Sequence, residues 1–270
     1  MDNADPWNFL KTHTAARIAQ GRTGHSLTTF ALLAFQLDHA RARDAVHSAL
    51  DSERLLGELH QLHPAPQHIT SQATDRPTYL QRPDLGRRLS LSSKRTLQDL
   101  CVPGQANYPA VTLSIVVADG LSALAVNRYA VPVASGLIKQ ARALDWSVAP
   151  ICVVEQGRVA IGDEIAGCLQ AELLVVLIGE RPGLSSPDSM GAYLTYRPRP
   201  GLTDESRNCV SNIRPEGLAH AFAVQKIMYL LGEMKRRQLS GVLLKDEMPM
   251  YIEPHTSSPA LTAQTPETPD

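Results

Sequence analysis

The six residues Leu173-Leu174-Val175-Val176-Leu177-Ile178 carry no polar side chain and run straight into Gly179-Glu180-Arg181-Pro182-Gly183-Leu184. A run this short cannot cross a bilayer, which takes about 20 residues as a helix, so it reads as a buried strand. Strands that are apolar throughout belong to sheets covered by helices on both faces, the arrangement of α/β folds. The Gly/Pro-rich loop carrying Glu180 and Arg181 then lies outside the carboxyl end of a strand, where open sheets hold ligands.

Upstream, Val111 to Ala118 is a β-branched run ending in Asp119-Gly120-Leu121-Ser122, and an Ala-rich helical stretch follows to about Leu144. Ser147 to Val154 supplies another strand, and Gly162-Asp163 starts a short helix through Leu169. Tyr193 to Tyr196 and Cys209 to Ile213 are weaker strand candidates, and a helix with basic residues in its last turn runs from Pro215-Glu216-Gly217 to Arg237. This alternation predicts α/β: a Rossmann-like, mostly parallel sheet of five strands with covering helices over residues 101–245.

The first hundred residues have a helical texture. Asp5-Pro6 starts a helix over roughly 6–19, and Leu27, Phe30, Leu33, Leu37 and Ala40 recur at helical spacing in a second, longer one beginning near Ser26. Residues 58–83 hold Pro64, Pro66, Pro77 and Pro83, which predicts an irregular connection. Residues 246–270 are rich in Pro, Ser, Thr and Glu, too polar to offset their ordering entropy, and are expected to form a disordered tail.

Charge and cysteine usage exclude several function classes. A formal net charge of -1 offers no concentrated cationic surface for nucleic acid. The amino terminus has neither the cationic start nor the apolar stretch of a secretory signal, so the expected setting is intracellular. Cys101, Cys152, Cys168 and Cys209 lack the spacing of zinc sites or disulfide frameworks and read as reduced thiols, with no metal site expected.

The loops leave chemistry open. Ser122 and the amides after Asp119 can receive an anion or serve as an ordinary helix cap. Neither a G-x-G-x-x-G fingerprint nor a P-loop occurs. Arg82, Arg87 and Arg88 can meet a partner's carboxylates or phosphates, or pair locally with Asp84. Cys209 is either a core thiol or a nucleophile, with His220 the nearest base in sequence. No convincing catalytic centre is present, and none is assigned to this chain.

Five blocks occur together in order: Thr14 to Gly24 (Thr-Ala-Ala-Arg-Ile-Ala-Gln-Gly-Arg-Thr-Gly), Tyr79 to Leu89 (Tyr-Leu-Gln-Arg-Pro-Asp-Leu-Gly-Arg-Arg-Leu), Asp119-Gly120-Leu121-Ser122, Gly179 to Leu184, and Cys209-Val210-Ser211-Asn212-Ile213. In these the chain resembles the small (light) subunit family of ethanolamine ammonia-lyase from Pro6 to about Leu244. The resemblance implies a hetero-oligomeric lyase that uses adenosylcobalamin to convert ethanolamine to acetaldehyde and ammonia, with the substrate site mainly on a barrel-type large subunit. It also implies that Val159, Glu180 and Cys209 contact the cofactor. The Asp-x-His-x-x-Gly pattern that ligates cobalt through histidine is absent, so the resemblance implies no metal ligand from this chain. Some relatives carry an amino-terminal extension thought to direct them into a bacterial microcompartment; the expectation here is a cytoplasmic enzyme, with encapsulation left open. Two other classes stay in view, a stand-alone corrinoid- or nucleotide-binding protein and an independent Cys209 hydrolase.

Overall fold

The computed structural model describes residues 5–14, 16–63, 65–100 and 111–249. Its centre is a six-stranded mixed sheet: β1 (Gln67–Thr70), β2 (Val111–Ala118), β3 (Cys152–Glu155), β4 (Ala171–Gly179), β5 (Met190–Tyr196) and β6 (Asn208–Ile213), in the spatial order β1-β3-β2-β4-β5-β6. The pairings β1/β3, β2/β3 and β2/β4 are parallel, whereas β4/β5 and β5/β6 are antiparallel.

Strand alternation divides the core. Leu113, Ile115 and Val117 of β2 face one side with Leu173, Val175 and Leu177 of β4, under α2 (Ser52–Leu62), α5 (Ala123–Ala143) and α7 (His220–Arg237). Val116 and Ala118, with Leu174, Val176 and Ile178, face the other side, under α4 (Leu91–Leu100) and α6 (Ile161–Cys168). Both faces of β2 and β4 are therefore covered, which is why their sequences read as continuous apolar runs. Chain crossovers on opposite faces of β2 leave a crevice beside its carboxyl end.

Several expectations need correction. The stretch 58–83 is not irregular: α2 runs through Leu62, β1 follows, and α3 (Arg76–Gln81) comes next, with Pro77 in its first turn and Asp75 accepting the Thr78 amide at 2.8 Å. Pro66 directly precedes β1, Pro77 opens α3 and Pro83 lies in the turn after it, so none of these breaks an element, and Pro64 lies outside the described residues. β1 carries one buried apolar residue, Ile69, so it gave no periodic signal, yet it makes six strands where five were expected. The strand expected over Ser147–Val154 is confined to β3, because Pro150 has no N–H for the ladder; Val148 makes only a lone bridge to Leu113.

The helix expected over 6–19 is reduced to a 3-10 turn at Asn8–Thr12, in which Trp7 and Phe9 stay exposed and supply no packing to propagate it. The longer helix exists as α1 (Thr29–His47), N-capped by Thr28, but the residues it buries are Ala31 and Ala45. Phe30, Leu33 and Leu37 face solvent, with Phe30 at 82% exposure. Most of the expected tail, residues 250–270, lies outside the described residues.

Candidate functional site

Three strand ends meet at the crevice, and two glycines let them approach. Gly120 has φ +58°, and a Cβ there would lie 2.2 Å from the Gly179 carbonyl oxygen. A Cβ on Gly179 would lie 2.1 Å from the Ser122 carbonyl oxygen, and the Leu121 amide donates to Gly179 O at 2.9 Å. Any side chain at either position would force the ends of β2 and β4 apart.

Neither polar residue of Asp119-Gly120-Leu121-Ser122 caps α5. Ser122 Oγ donates to Pro187 O at 2.9 Å, holding the loop after β4. The buried Asp119 carboxylate accepts the amides of Gln156 and Gly157, both at 2.8 Å, and so ties the loop after β3 to the end of β2. Burial pushes its carboxyl up to about 6, against the opposing pull of those amides and of Arg76 at 3.5 Å.

The aromatic ring of Tyr79 lies among two arginines. The Arg76 guanidinium stands 4.6 Å and that of Arg158 4.2 Å from the ring centroid. Arg76 also donates to Val46 O at 2.7 Å and Gly120 O at 2.8 Å, clamping α1 and α3 to the strand-end loops. Tyr79 itself is fully buried and donates to Gly157 O at 3.2 Å; burial drives its phenol well above the ordinary tyrosine range.

The resulting crevice, about 430 Å³, is lined by Val159 and Arg158 after β3, Gly120 and Leu121 after β2, and Glu180 and Arg181 after β4. Two of the three expected contact residues, Val159 and Glu180, thus share one hollow. Glu180 is held firmly: Oε2 accepts Ser189 Oγ at 2.7 Å and the Asn212 amide at 3.1 Å, while a Cβ on Gly191 would press within 3.0 Å of Oε1. Cys209 stands at the rim, paired across the β5/β6 register with Tyr193, which lines the crevice.

The nucleophile alternative for Cys209 finds no support in this arrangement. Its neighbour Val210 points into the α5/α7 core, so Cys209 points to the opposite face, whereas His220 packs on Tyr129 at 5.0 Å on the α5/α7 side. The Cys209 sulfur contacts Ser211 Oγ at 3.3 Å, and although the residue is exposed, crowding of the sulfur pushes its thiol up, away from the reactive thiolate. Burial, and then Cys209, push the Tyr193 phenol up to about 12.

Within the arginine turn, Arg82 grips Asp84 with two hydrogen bonds at 2.9 and 2.7 Å, while Arg88 reaches across to Glu164 at 2.5 Å. Residue reasoning passed over Tyr79, Arg76 and Arg158. Arg76 and Tyr79 are one helical turn apart on α3, but the Arg158 that completes the stack comes from a segment about 80 residues away. Among the described residues no cluster of three or more His, Cys, Asp or Glu could hold a metal ion, and no helix is long and apolar enough to cross a membrane.

Comparison with known proteins gives one consistent result. Residues 4–245 match the family described as ethanolamine ammonia-lyase light chain. The chain is 55% identical over 247 residues to the ethanolamine ammonia-lyase small subunit of Pseudomonas fluorescens (strain Pf0-1), covering 92% of this chain and 89% of that one. It is 54% identical over 248 residues to the same subunit of Ralstonia nicotianae, covering 91% of each.

Proposed function

The chain belongs to the ethanolamine ammonia-lyase light chain family, and from that premise we propose that it is the small subunit of an adenosylcobalamin-dependent lyase. In this reading it converts nothing alone: it forms one wall of the cofactor site at a junction with a larger subunit that carries the ethanolamine site. The observation that carries the proposal is the crevice at the ends of β2, β3 and β4, where Val159 and Glu180 face one hollow and Cys209 stands at its rim.

The residues fit a corrinoid edge. A corrin ring offers an apolar face bordered by carboxamides, and the crevice offers apolar Val159 beside a fixed carboxylate acceptor, Glu180. Its volume suits an edge of so large a ligand and leaves the remainder to a second chain. When bound, adenosylcobalamin supplies the radical chemistry; this chain orients it and keeps water from its edge.

Support for a partner comes from α1. A helix of 19 residues that buries two alanines lacks the packed face from which most helices draw their stability. Its outward Phe30, Leu33 and Leu37 make the kind of apolar patch that folded chains cover with another chain. The compartment proposed is the cytoplasm, free or inside a bacterial microcompartment, and fractionation of the native host separates the two.

The test is reconstitution with the large subunit. Lyase activity should require this chain, and Glu180→Ala should raise the apparent Kd for cobalamin more than it lowers turnover at saturation. Equal activity without this chain would reject the assignment, whereas tight corrinoid binding by the isolated chain with no lyase partner would favour a stand-alone binding protein.

A further inference from the structure

We propose that Arg158 is a ligand-holding residue of the crevice, a fixed donor to an oxygen on the polar edge of the bound corrinoid; the inference rests on the cofactor reading above. A guanidinium carries five N–H donors. For Arg158 the structure shows a single acceptor, Tyr79 O, 3.3 Å from Nη2. Its Nε is buried and has no partner among the described residues. Nη1 likewise makes no hydrogen bond among the described residues but is not a buried atom, so the fork keeps a charged donor open to an acceptor in the hollow.

Arg76 makes the contrast. It stacks on the same ring and also has an unpaired buried Nη2, but its Nε and Nη1 are bound to backbone carbonyls and it does not line the hollow. Arg158 does line it, and it is held in place from several sides. The Tyr79 ring covers its plane, and its own amide donates to Gly86 O at 2.8 Å. A Cβ on Gly86 would come within 2.9 Å of its Cγ, so glycine leaves just enough room for the stem. Asp119 fixes the loop on which it stands. A donor ordered in advance loses little entropy when an acceptor arrives.

Across the end of β2, Glu180 Oε1 has no hydrogen-bond partner among the described residues, since Ser189 and Asn212 both engage Oε2. A donor on one wall and an acceptor on the other match a primary carboxamide, which presents C=O and NH₂ together. The donor alone also suits a phosphodiester oxygen. Cobalamin carries both groups, and cobinamide keeps the carboxamides while lacking the nucleotide loop with its phosphodiester.

The experiment titrates the assembled complex with cyanocobalamin and with dicyanocobinamide, following the corrin spectrum. Arg158→Met should weaken cyanocobalamin binding roughly 10- to 100-fold, the value of a hydrogen bond from a charged donor. Arg158→Lys, which keeps the charge and loses the fork, should fall in between. Parallel weakening for both corrinoids assigns Arg158 to a carboxamide carbonyl; weakening for cyanocobalamin alone assigns it to the phosphodiester. If the Met variant does not assemble, the Lys variant decides by the same readout. A lowered melting temperature with both Kd values unmoved overturns the inference and leaves the cofactor reading standing. A wild-type complex that binds neither corrinoid removes both.

Discussion

The carboxylate of Asp119 accepts the backbone amide of Gly157 at 2.8 Å, joining the end of β2 to the loop that carries Arg158 and Val159. A second amide, from Gln156, meets the other oxygen at the same distance. One buried side chain therefore holds a wall of the crevice in shape.

That burial makes stability depend on pH. The folded carboxyl sits at about 6, above an ordinary aspartate near 4, so between these values the folded state binds more protons than the unfolded one. The contribution is present in full below about pH 4 and is lost as pH rises through 6. Asp119→Asn removes the titration and leaves one amide without its acceptor. In urea unfolding the stability gap between wild type and variant should be widest near pH 4 and narrow by up to about 3 kcal/mol at pH 6.5. Parallel pH profiles would show that Asp119 ionises normally.

Arg207 and Asp163 form a buried pair at 2.6 Å, with side chains 1% and 2% exposed, and Arg207 also reaches Thr195 Oγ1 at 3.1 Å. The pair anchors the residue entering β6 to the first turn of α6. Asp163→Ala strands an unpaired guanidinium and should cost about 3–5 kcal/mol in chemical denaturation. The double variant Asp163→Leu with Arg207→Met should be less damaging than the single change, because no charge is left buried. A double variant worse than the single would mean that shape, not charge, governs the site.

Cys209 should behave as a packing residue. Its raised thiol predicts iodoacetamide alkylation with a midpoint above that of a free cysteine peptide measured alongside. Cys209→Ala should keep most saturated turnover in the assembled complex while modestly weakening corrinoid binding. Complete loss of turnover with unchanged affinity would restore the nucleophile reading.

How much of this was legible beforehand depended on where the signal lay. β2, β4, α5, α6 and α7 could be read because both-face burial and helical periodicity are written in consecutive residues. β1 could not, since an edge strand with Ile69 as its one buried apolar residue owes its existence to pairing with β3, 80 or more positions away. The same reason hid the Tyr79–Arg158 stack and the Asp119 staple, whose partners meet only after folding. Glycine carried more than its local turn: Gly120 and Gly179 each stand where the other's strand end allows no side chain.

The α1 face shows what periodicity does and does not encode. Leu27, Phe30, Leu33 and Leu37 recur at helical spacing as a core stripe would, yet in this chain they face outward, with Leu33 at 59% exposure. Spacing marks a side that must be covered and is silent about whether the cover is the same molecule. If the large subunit supplies it, Phe30→Ser with Leu33→Ser removes contacts made only in the complex, and surface changes of this kind alter a lone chain's stability by about 0.5 kcal/mol or less. The isolated double variant should therefore melt close to wild type. Its affinity for the large subunit should drop at least about 10-fold, because burying one such side chain is worth roughly 1.5–3 kcal/mol. Sedimentation of the mixed subunits reads the second quantity and calorimetry the first. Unaltered assembly with a sharply lowered melting temperature would mean that α1 packs within its own chain, and the case for a docked partner on this face would fall.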